Sequence, residues 1–543
     1  MKQTLLLLAA LLLALADPAR AAKPNILLIL ADDLGFSDLG CYGGEIQTPN
    51  LDKLAADGLR FTQFYNGARC CPSRASLLTG LYPHEVGFAG MSGSLPPTCA
   101  TLPEVLKSAG YRTFMSGKWH LGNPGPFLRG FEEFYGLLGG YGSFWNEKLY
   151  TRRPEGRTAR SYPEGKFYAT DAITDHALDF IASARQAGDK PFFLYLAFNA
   201  PHFPLHAPPA EIAKYAGTYE QGWDKIRDAR YARQKQLGLL AGVPELTPRS
   251  QIPPNVVANM HDWTGKANPA WESLAADRRA DLARRMAVFA GAVDRMDQNI
   301  GRVVADLKQH GELANTLIFF LSDNGACAEW DPFGFDVTNN VHAVNLGTTS
   351  GLNILHTGAA LDQLGAPGSY VSYGSAWANA CNTPFRLYKH YSHEGGIATP
   401  LIIHWPAGMK RAGELEQRIG HISDVMATCI ELAGARYPAD KLAPAGRSLV
   451  PALRGEAAGS RTIFFEHEGN RAVREGQWKL VALAKGPWEL YDMSRDRVEL
   501  HDLAAQQPDR VKQMAAQWDA WSAQVSAHGG QTHGGRKKKK GGD

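Results

Sequence analysis

The chain has 543 residues, 44% of them hydrophobic and 20% charged, and this composition excludes a disordered protein. Its formal net charge of +3 is concentrated at the C-terminus, where the last eight residues carry five bases and one acid. Between residues 22 and 535 the net charge is −2, which excludes nucleic acid as a partner captured by global charge. Any anion therefore has to bind in a local pocket.

The first 21 residues have the pattern of a secretory signal peptide. Lys2 precedes an apolar run from Leu5 to Ala16, and the small-residue pattern Ala19-Arg20-Ala21 follows as a cleavage site. An uncleaved anchor helix is the alternative, but this run is too short to span a bilayer. Seven cysteines are too few for a disulfide scaffold. We therefore predict a periplasmic or secreted protein without stable membrane insertion.

Apolar runs of strand type alternate with helical patterns along the first 455 residues. Four runs end directly in polar clusters, namely Ile26–Ala31, Thr113–Met115, Phe192–Phe198 and Leu317–Leu321. Helical periodicity occurs at Leu51–Gly58, Leu102–Gly110, Asp171–Gln186 and Arg278–Gly311. Because continuous apolar runs are typical of strands buried on both faces, the alternation predicts a doubly wound, mostly parallel α/β sheet. We interpret residues 210–276 and 331–378, which interrupt the alternation, as insertions.

After about residue 455 the pattern changes to short strand-like segments and one amphipathic helix. The segments are Thr462–Glu466, Arg471–Arg474, Trp478–Leu483 and Glu489–Asp492, and the helix is Pro508–Val525. They predict a small antiparallel sheet with one helix. We expect a signal peptide at 1–21, a catalytic domain at 22–455, an α+β subdomain at 456–528 and a disordered basic tail at 529–543. A tether to an anionic surface is the alternative for the tail.

The most specific motif is Cys70-Cys71-Pro72-Ser73-Arg74, which continues to Thr79-Gly80. It resembles the signature of the sulfatase family, in which the first cysteine is oxidised to formylglycine. Cys70 holds that position, and Cys71 holds the variable one. A thiolate that attacked a sulfate ester would leave a stable thiosulfate, whereas an aldehyde hydrate has a second hydroxyl that expels sulfate. A structural cysteine or a disulfide is the alternative, but neither needs Pro, Ser, Arg, Thr and Gly at fixed spacings.

Two acidic pairs form the second set of candidates. Asp32-Asp33 and Asp323-Asn324 each follow a predicted strand, so both are expected at the carboxyl edge of the sheet. Oxygen ligands without Cys or His suit Ca²⁺ or Mg²⁺ and argue against zinc. The family resemblance favours Ca²⁺ and adds the formylglycine oxygen at Cys70 as a ligand. A helix cap and a turn are the alternatives for the two pairs.

The third set is cationic and matches family segments at their expected spacings. Lys118 and His120 lie in Gly117–Gly122, His202 lies in Pro201–Pro204, and Lys389 lies five residues before Glu394-Gly395-Gly396. The resemblance implies that the two lysines and His202 bind sulfate. Positive groups around a sulfate supply the preorganised stabilisation that its transfer requires.

Catalytic roles also follow from the resemblance. Asp323 is expected to accept a proton from the attacking hydroxyl. Arg74 and His120 are expected to hold the hydrate, with His120 as the base for its collapse. His202 is expected to protonate the leaving alcohol.

The resemblance extends over nearly the whole mature chain and is closest to bacterial arylsulfatases. It implies an alkaline-phosphatase-like fold and a sulfuric ester hydrolase that acts on a small-molecule or carbohydrate sulfate ester. It also implies a formylglycine-generating maturation enzyme as a partner. The alternatives are a phosphodiesterase or phosphonate monoester hydrolase of the same fold, or a non-catalytic sulfate-ester-binding protein if Cys70 stays unoxidised.

Substrate specificity is not determined by these motifs, since aryl, alkyl and sugar sulfates present the same group. The segment Leu387-Tyr388 departs from the Gly-Gly of many family members and could reshape the substrate pocket. Trp119, Tyr141 and Trp145 lie near the motifs, where they either stack on a substrate ring or belong to the core.

Overall fold

A computed structural model of the chain describes residues 23–157, 160–188, 190–253, 263–329, 331–337, 354–457 and 459–529. The predicted signal peptide, residues 530–543 of the predicted basic tail and parts of both predicted insertions lie outside the described residues. Within the described ranges, none of the helices combines the length and the apolar character that crossing a bilayer requires.

A ten-stranded sheet forms the centre of the larger part of the molecule. In chain order its strands are β1 (Asn25–Ala31), β2 (Leu59–Tyr65), β3 (Arg112–Gly117), β4 (Glu133–Leu137), β5 (Tyr150–Arg153), β6 (Phe192–Ala197), β7 (Thr316–Ser322), β8 (Ala398–His404), β9 (Glu414–Glu416) and β10 (Gly420–His421). Their spatial order is β10-β2-β8-β7-β1-β6-β3-β4-β5, and β9 pairs with β2. Neighbouring strands are parallel except where β8 meets β2 and β7 and where β5 meets β4. The predicted mostly parallel α/β sheet is confirmed.

Helices connect the strands and pack on the two sheets. In chain order they are α1 (Pro49–Ala56), α2 (Cys70–Thr79), α3 (Leu102–Ser108), α4 (Ala169–Gln186), α5 (Pro209–Lys214), α6 (Gly222–Gln236), α7 (Ala276–Gln309), α8 (Ala359–Asp362), α9 (Gly374–Cys381), α10 (Glu394–Ile397), α11 (Asp424–Ala433), α12 (Val450–Arg454) and α13 (Pro508–Gly529). The sequence of strand β1 is continuously apolar because both of its faces are buried. Leu27 and Ile29 belong to one core cluster, whereas Ile26 and Leu28 belong to a second cluster on the opposite face.

The second sheet is a four-stranded antiparallel meander of β11 (Thr462–His467), β12 (Asn470–Glu475), β13 (Trp478–Ala482) and β14 (Glu489–Asp492). Helix α13 covers it, and Met514 of that helix packs with Val473, Leu480 and Leu490 of the sheet. The predicted antiparallel sheet with one helix is therefore confirmed. The exact limits of the predicted domains stay predictions.

The described parts of the two predicted insertions pack on each other near the loop after β1. Arg230 of α6 is fully buried and lies 2.7 Å from Asp38 and from Glu45 of that loop. Trp223 and Trp377 come from different insertions, and their ring centroids are 5.5 Å apart. The described parts of the insertions thus pack together beside the loop that follows β1.

Candidate active site

The two acidic pairs meet at the carboxyl ends of β1 and β7. These strands are neighbours, and Ala31 stands opposite Ser322 in their parallel register, so the residues that follow come together. The amide of Asp33 donates to Oδ1 of Asp323 at 3.3 Å, and Nδ2 of Asn324 donates to Oδ1 of Asp33 at 2.7 Å. Asp33 has a φ of 67°, an uncommon conformation that turns the chain sharply at the end of β1.

Two buried cations contact the carboxylates of Asp32 and Asp323. Nζ of Lys118 lies 2.5 Å from Oδ2 of Asp32, and Nη2 of Arg74 lies 2.9 Å from Oδ2 of Asp323. Burial raises the pKa of Asp32, but Lys118 and the other nearby positive groups outweigh burial and lower this pKa to about 2. Burial and the charge of Asp32 raise the pKa of Asp323 well above its usual value of 3.8. Lys118 and Arg74 thus compensate only part of the negative charge of Asp32 and Asp323.

Asp33 has its own side-chain partners. Nζ of Lys389 lies 2.8 Å from Oδ1 of Asp33, and Nε2 of His202 lies 3.4 Å from Oδ2. Asp32, Asp33 and His202 each offer a ligand atom, and these atoms lie within 4.8 Å of one another.

The cluster fits a divalent cation that prefers oxygen ligands. Within the described residues, Oδ1 of Asp32 and Oδ1 of Asn324 are buried and have no hydrogen-bond partner. Such orphaned buried oxygens are costly unless another group binds them. Three carboxylates and one amide oxygen form the kind of donor set that Ca²⁺ or Mg²⁺ takes.

Cys70 is the first residue of α2 and is almost completely buried, with 1% of its surface exposed. Arg69 is the extended residue before the helix, and Gly80, with a φ of 71°, ends it, so the motif forms one complete helix. The contact with Cys71 lowers the pKa of Cys70 well below its usual value of 9.0 and, with His120 and Lys118, outweighs the effect of burial. Residue 70 thus lies where the protein stabilises an anion.

His120 and His202 are the two histidines proposed to transfer protons. Burial lowers the pKa of His120 below its usual value of 6.5, against an opposing effect of Cys70, so the imidazole is neutral at pH 7 and can accept a proton. Nδ1 of His202 donates to the carbonyl oxygen of Phe203 at 2.6 Å. Nε2 is therefore the nitrogen through which His202 can exchange a proton with a substrate.

A cavity of about 180 Å³ opens onto residue 70. Its lining residues are Arg69, Cys70, Met91, His120, Gly140, Tyr141, His202, Phe203, Glu329 and Lys389. Nη1 of Arg69 donates to Oε1 of Glu329 at 2.9 Å. The sequence analysis did not identify this pair, because Glu329 lies in no motif. The only sequence signal for Arg69 is its position directly before Cys70.

The three aromatic candidates differ in their surroundings. Tyr141 lines the cavity, and its ring centroid lies 6.0 Å from that of Phe203. The indole of Trp119 is buried and donates to the carbonyl oxygen of Gly122 at 3.0 Å. Trp145 donates to the carbonyl oxygen of Gly365 at 3.1 Å and packs against the core. Only Tyr141 among the three is placed to contact a substrate.

The segment that departs from the common family pattern is buried beside the site. Leu387 and Tyr388 expose 6% and 3% of their surfaces, and neither is among the residues that line the cavity. The amide of Leu387 donates to Oγ of Ser250 at 2.9 Å. These contacts anchor the residues that lead to Lys389.

The contacts above join all ten predicted site residues into one group, although they come from six separate segments of the chain. The group comprises Asp32, Asp33, Cys70, Arg74, Lys118, His120, His202, Asp323, Asn324 and Lys389. The structure thus fixes their positions, and the roles assigned to them stay predictions.

Family models and curated relatives match most of this chain. A family model described as sulfatase matches residues 24–435, and one described as N-sulphoglucosamine sulphohydrolase, C-terminal, matches residues 385–522. An uncharacterized sulfatase of Schizosaccharomyces pombe is 34% identical over 516 residues, which cover 87% of this chain and 88% of the relative. The arylsulfatase of Klebsiella aerogenes is 34% identical over 456 residues, which cover 78% of this chain and 90% of the relative.

A solved structure is similar over almost the whole chain. The crystal structure of Ps i-CgsB in complex with k-i-k-neocarrahexaose superimposes with a TM-score of 0.63 and 26% sequence identity. The match covers 92% of this chain and 93% of that one.

Proposed function

We propose a reaction and a substrate class for this chain from the premise that it belongs to the sulfatase family, whose model matches most of its length. Its fold is the alkaline-phosphatase-like fold of that family, and family membership supports hydrolysis of sulfate esters. The proposed reaction uses a formylglycine made from Cys70 and one divalent cation, Ca²⁺ in preference to Mg²⁺. The observation that carries this proposal is the position of Cys70 at the start of α2, where it lines one cavity together with His120, His202 and Lys389.

The cation would be held by the oxygens of Asp32, Asp33, Asp323 and Asn324, together with the oxygen of a formylglycine at position 70. A bound divalent cation supplies positive charge that stabilises the sulfate group during its transfer. The orphaned oxygens of Asp32 and Asn324 support this assignment.

A hydrated formylglycine supplies one hydroxyl that displaces the ester oxygen from sulfur and a second hydroxyl whose deprotonation expels sulfate. Asp323 accepts the proton of the first hydroxyl, and neutral His120 accepts that of the second. His202 and Lys389 line the cavity and donate to sulfate oxygens. Lys118 is the third proposed donor, and its buried ammonium contacts Asp32. His202 also protonates the leaving oxygen through Nε2. Arg74 holds the Asp323 carboxylate through the 2.9 Å contact.

We propose sulfate monoesters of phenols and of similarly small alcohols without further charged groups as the substrate class. Met91, Tyr141 and Phe203 form an apolar wall of the cavity, whose volume of about 180 Å³ suits a single ring. Arg69 is compensated by Glu329 and offers no unpaired charge to a uronate or to a second sulfate. The similarity to the arylsulfatase of Klebsiella aerogenes supports the same class.

A formylglycine-generating enzyme is the proposed maturation partner, in a periplasmic or secretory compartment. Residues 70–74 are buried in the folded chain, so this enzyme has to reach them before folding is complete.

The experiment compares protein made with and without a formylglycine-generating enzyme. Mass spectrometry of the peptide that contains residue 70 should show conversion of the thiol to an aldehyde. Only the converted protein should turn over 4-nitrophenyl sulfate, and it should be faster on this ester than on 4-nitrophenyl phosphate or a sugar sulfate. A higher rate on the phosphate would replace the proposal by the phosphoesterase alternative.

Two single substitutions complete this test. Cys70→Ser should lose steady-state turnover, because a serine ester lacks the second hydroxyl that expels sulfate. Cys71→Ser is the matched control at a buried neighbouring cysteine and should remain largely active. Steady-state activity of Cys70→Ser near that of the wild type would refute the mechanism.

A further inference from the structure

The turn between β11 and β12 brings two ligating side chains to a histidine near the active site. Glu468 lies in this turn with a φ of 51°, directly after His467, the last residue of β11. Nδ1 of His390 lies 3.0 Å from Oε2 of Glu468, and Nε2 of His467 lies 3.6 Å from Oε1 of the same carboxylate. His390 directly follows Lys389 in the sequence.

These two distances, one to each oxygen of the carboxylate, bracket the separation expected between two ligand atoms of a tetrahedral metal. With metal–ligand bonds of about 2.1 Å, ligand atoms lie roughly 3.4 Å apart. One ligand atom from each of the three residues lies within 4.8 Å of the other two. The cluster is thus compact enough for one ion to contact all three side chains.

His467 is the second, independent observation. Its side chain is completely buried, and neither ring nitrogen has a hydrogen-bond partner within the described part of the chain. A buried imidazole without partners is unfavourable, since it loses its bonds to water and gains none in return. Its Nε2 lies on the side of the Glu468 carboxylate, where a metal ion would satisfy it.

We propose that His390, His467 and Glu468 form a second metal site, separate from the oxygen-rich cluster, and that it binds Zn²⁺. Two imidazoles and one carboxylate suit Zn²⁺, whereas Ca²⁺ prefers oxygen ligands alone. The local charge also favours a cation. Glu329 lies 2.9 Å from Arg69 and compensates its positive charge. The negative charge of Glu468 is then left to compensate the metal ion. Three protein ligands leave a fourth position for water.

The site would connect the C-terminal sheet to the active-site cavity. Metal binding through Nδ1 of His390 places the ring proton on Nε2, and Oε1 of Glu329 lies 3.5 Å from that nitrogen. A carboxylate in this position orients a metal-bound histidine. Arg69 contacts the same Nε2 and has to turn further toward Glu329 when the metal binds. Because Arg69 and Glu329 line the cavity, zinc would fix one part of its wall.

Calorimetric titration of the whole protein with Zn²⁺, in the presence of excess Ca²⁺, tests the proposal. The wild type should bind one equivalent. His467→Ala and Glu468→Gln should each weaken this binding by more than the roughly 10- to 100-fold that a lost outer partner costs. Glu329→Gln changes the carboxylate that orients His390 and should weaken Zn²⁺ binding by only about 10- to 100-fold. His501→Ala is the matched control, because the His501 side chain is 66% exposed and belongs to no such cluster within the described residues.

Two further measurements separate this proposal from the catalytic one. Asp323→Ala should lose the Ca²⁺ site but keep the zinc equivalent, so failure of the catalytic proposal leaves this result unchanged. Co²⁺ used in place of Zn²⁺ should give the intense visible absorption of a tetrahedral site in the wild type and not in Glu468→Gln. Glu468 is half-exposed, so this variant stays informative even if His467→Ala does not fold. Equal zinc affinity in the wild type and Glu468→Gln would overturn the proposal.

Discussion

Asp32 and Asp323 are both completely buried directly after two adjacent strands, yet their pKa values are shifted in opposite directions. Asp32 has Lys118 at 2.5 Å and Arg74 at 3.7 Å. Burial raises the pKa of Asp323 despite its cationic partner Arg74, and repulsion from the negative charge of Asp32 raises this pKa further. A divalent cation between the two carboxylates would remove this repulsion. The residue-scale electrostatics therefore favour a bound ion.

The first prediction concerns that ion. Asp323→Ala should abolish both the tightly bound Ca²⁺ and turnover, because it removes a central ligand and the proposed proton acceptor. Metal analysis after gel filtration measures the first effect, and hydrolysis of 4-nitrophenyl sulfate measures the second. Asp297→Asn is the control: Asp297 is equally buried but accepts hydrogen bonds from Asn50 and Leu51 at the start of α1. Full Ca²⁺ occupancy in Asp323→Ala would contradict the ligand assignment.

The second prediction concerns the proton donor. His202→Ala should slow esters of poor leaving groups by about 10²- to 10⁴-fold, because these alcohols need protonation as they depart. Esters of acidic phenols should slow much less, since their anions leave unaided. The measurement is kcat/KM for a series of esters plotted against leaving-group pKa, and the slope should steepen in the variant. A uniform loss along the series would mean that His202 only binds sulfate.

At the scale of elements, the sequence predicted the parts that have a local signature. The continuous apolar runs of β1, β6 and β7 and the polar pairs after them placed the acidic cluster correctly at one edge. The antiparallel insertion of β8 between β2 and β7 has no such signature, because pairing direction is decided by tertiary contacts. The Arg69–Glu329 pair was missed for the same reason, since 260 residues separate its members. Motif spacing predicted which residues form the site. The residues of the cavity wall could not be predicted, because they depend on contacts between distant segments.

The third prediction concerns the end of β3, which positions Lys118. Gly117 has a φ of 122°, and an added Cβ would lie 1.7 Å from the carbonyl oxygen of Ala197 on β6. The amide of Lys118 donates to that same oxygen at 2.7 Å. Gly117→Ala should therefore push β3 away from β6 and lower the free energy of unfolding by about 3 kcal/mol. It should also reduce turnover, because Lys118 moves.

Gly110→Ala is the matched control for this substitution. Gly110 has a φ of 93°, but an added Cβ would meet nothing within 4 Å, so only backbone strain remains. We expect a loss of about 1 kcal/mol there, with turnover retained. Chemical denaturation followed by circular dichroism measures both variants. Equal losses in the two would show that strain, and not the contact with Ala197, decides the effect.

At the scale of the whole molecule, a buried ionic network joins the C-terminal sheet to the active-site side of the main sheet. Nζ of Lys479 on β13 lies 2.9 Å from Oε1 of Glu394 on α10 and 2.7 Å from Oε1 of Glu499. Nε of Arg497 lies 3.0 Å from Oε2 of Glu394. Because Glu394 lies five residues after Lys389, the C-terminal sheet supports a sulfate-binding segment. The predicted division near residue 455 therefore separates two packing units that share one network.

The last prediction tests this dependence. Lys479→Met keeps the length of the side chain but leaves Glu394 and Glu499 short of a buried positive partner, which should cost about 3–5 kcal/mol of unfolding free energy. Turnover should fall as well, because the segment that carries Lys389 loses its support. Lys512→Met on the exposed face of α13 is the control and should change the unfolding free energy by no more than about 0.5 kcal/mol. Combining Lys479→Met with Glu499→Gln should recover part of the loss, since it removes an uncompensated buried charge. Independent, additive losses in that double variant would show that the two side chains do not act as a pair.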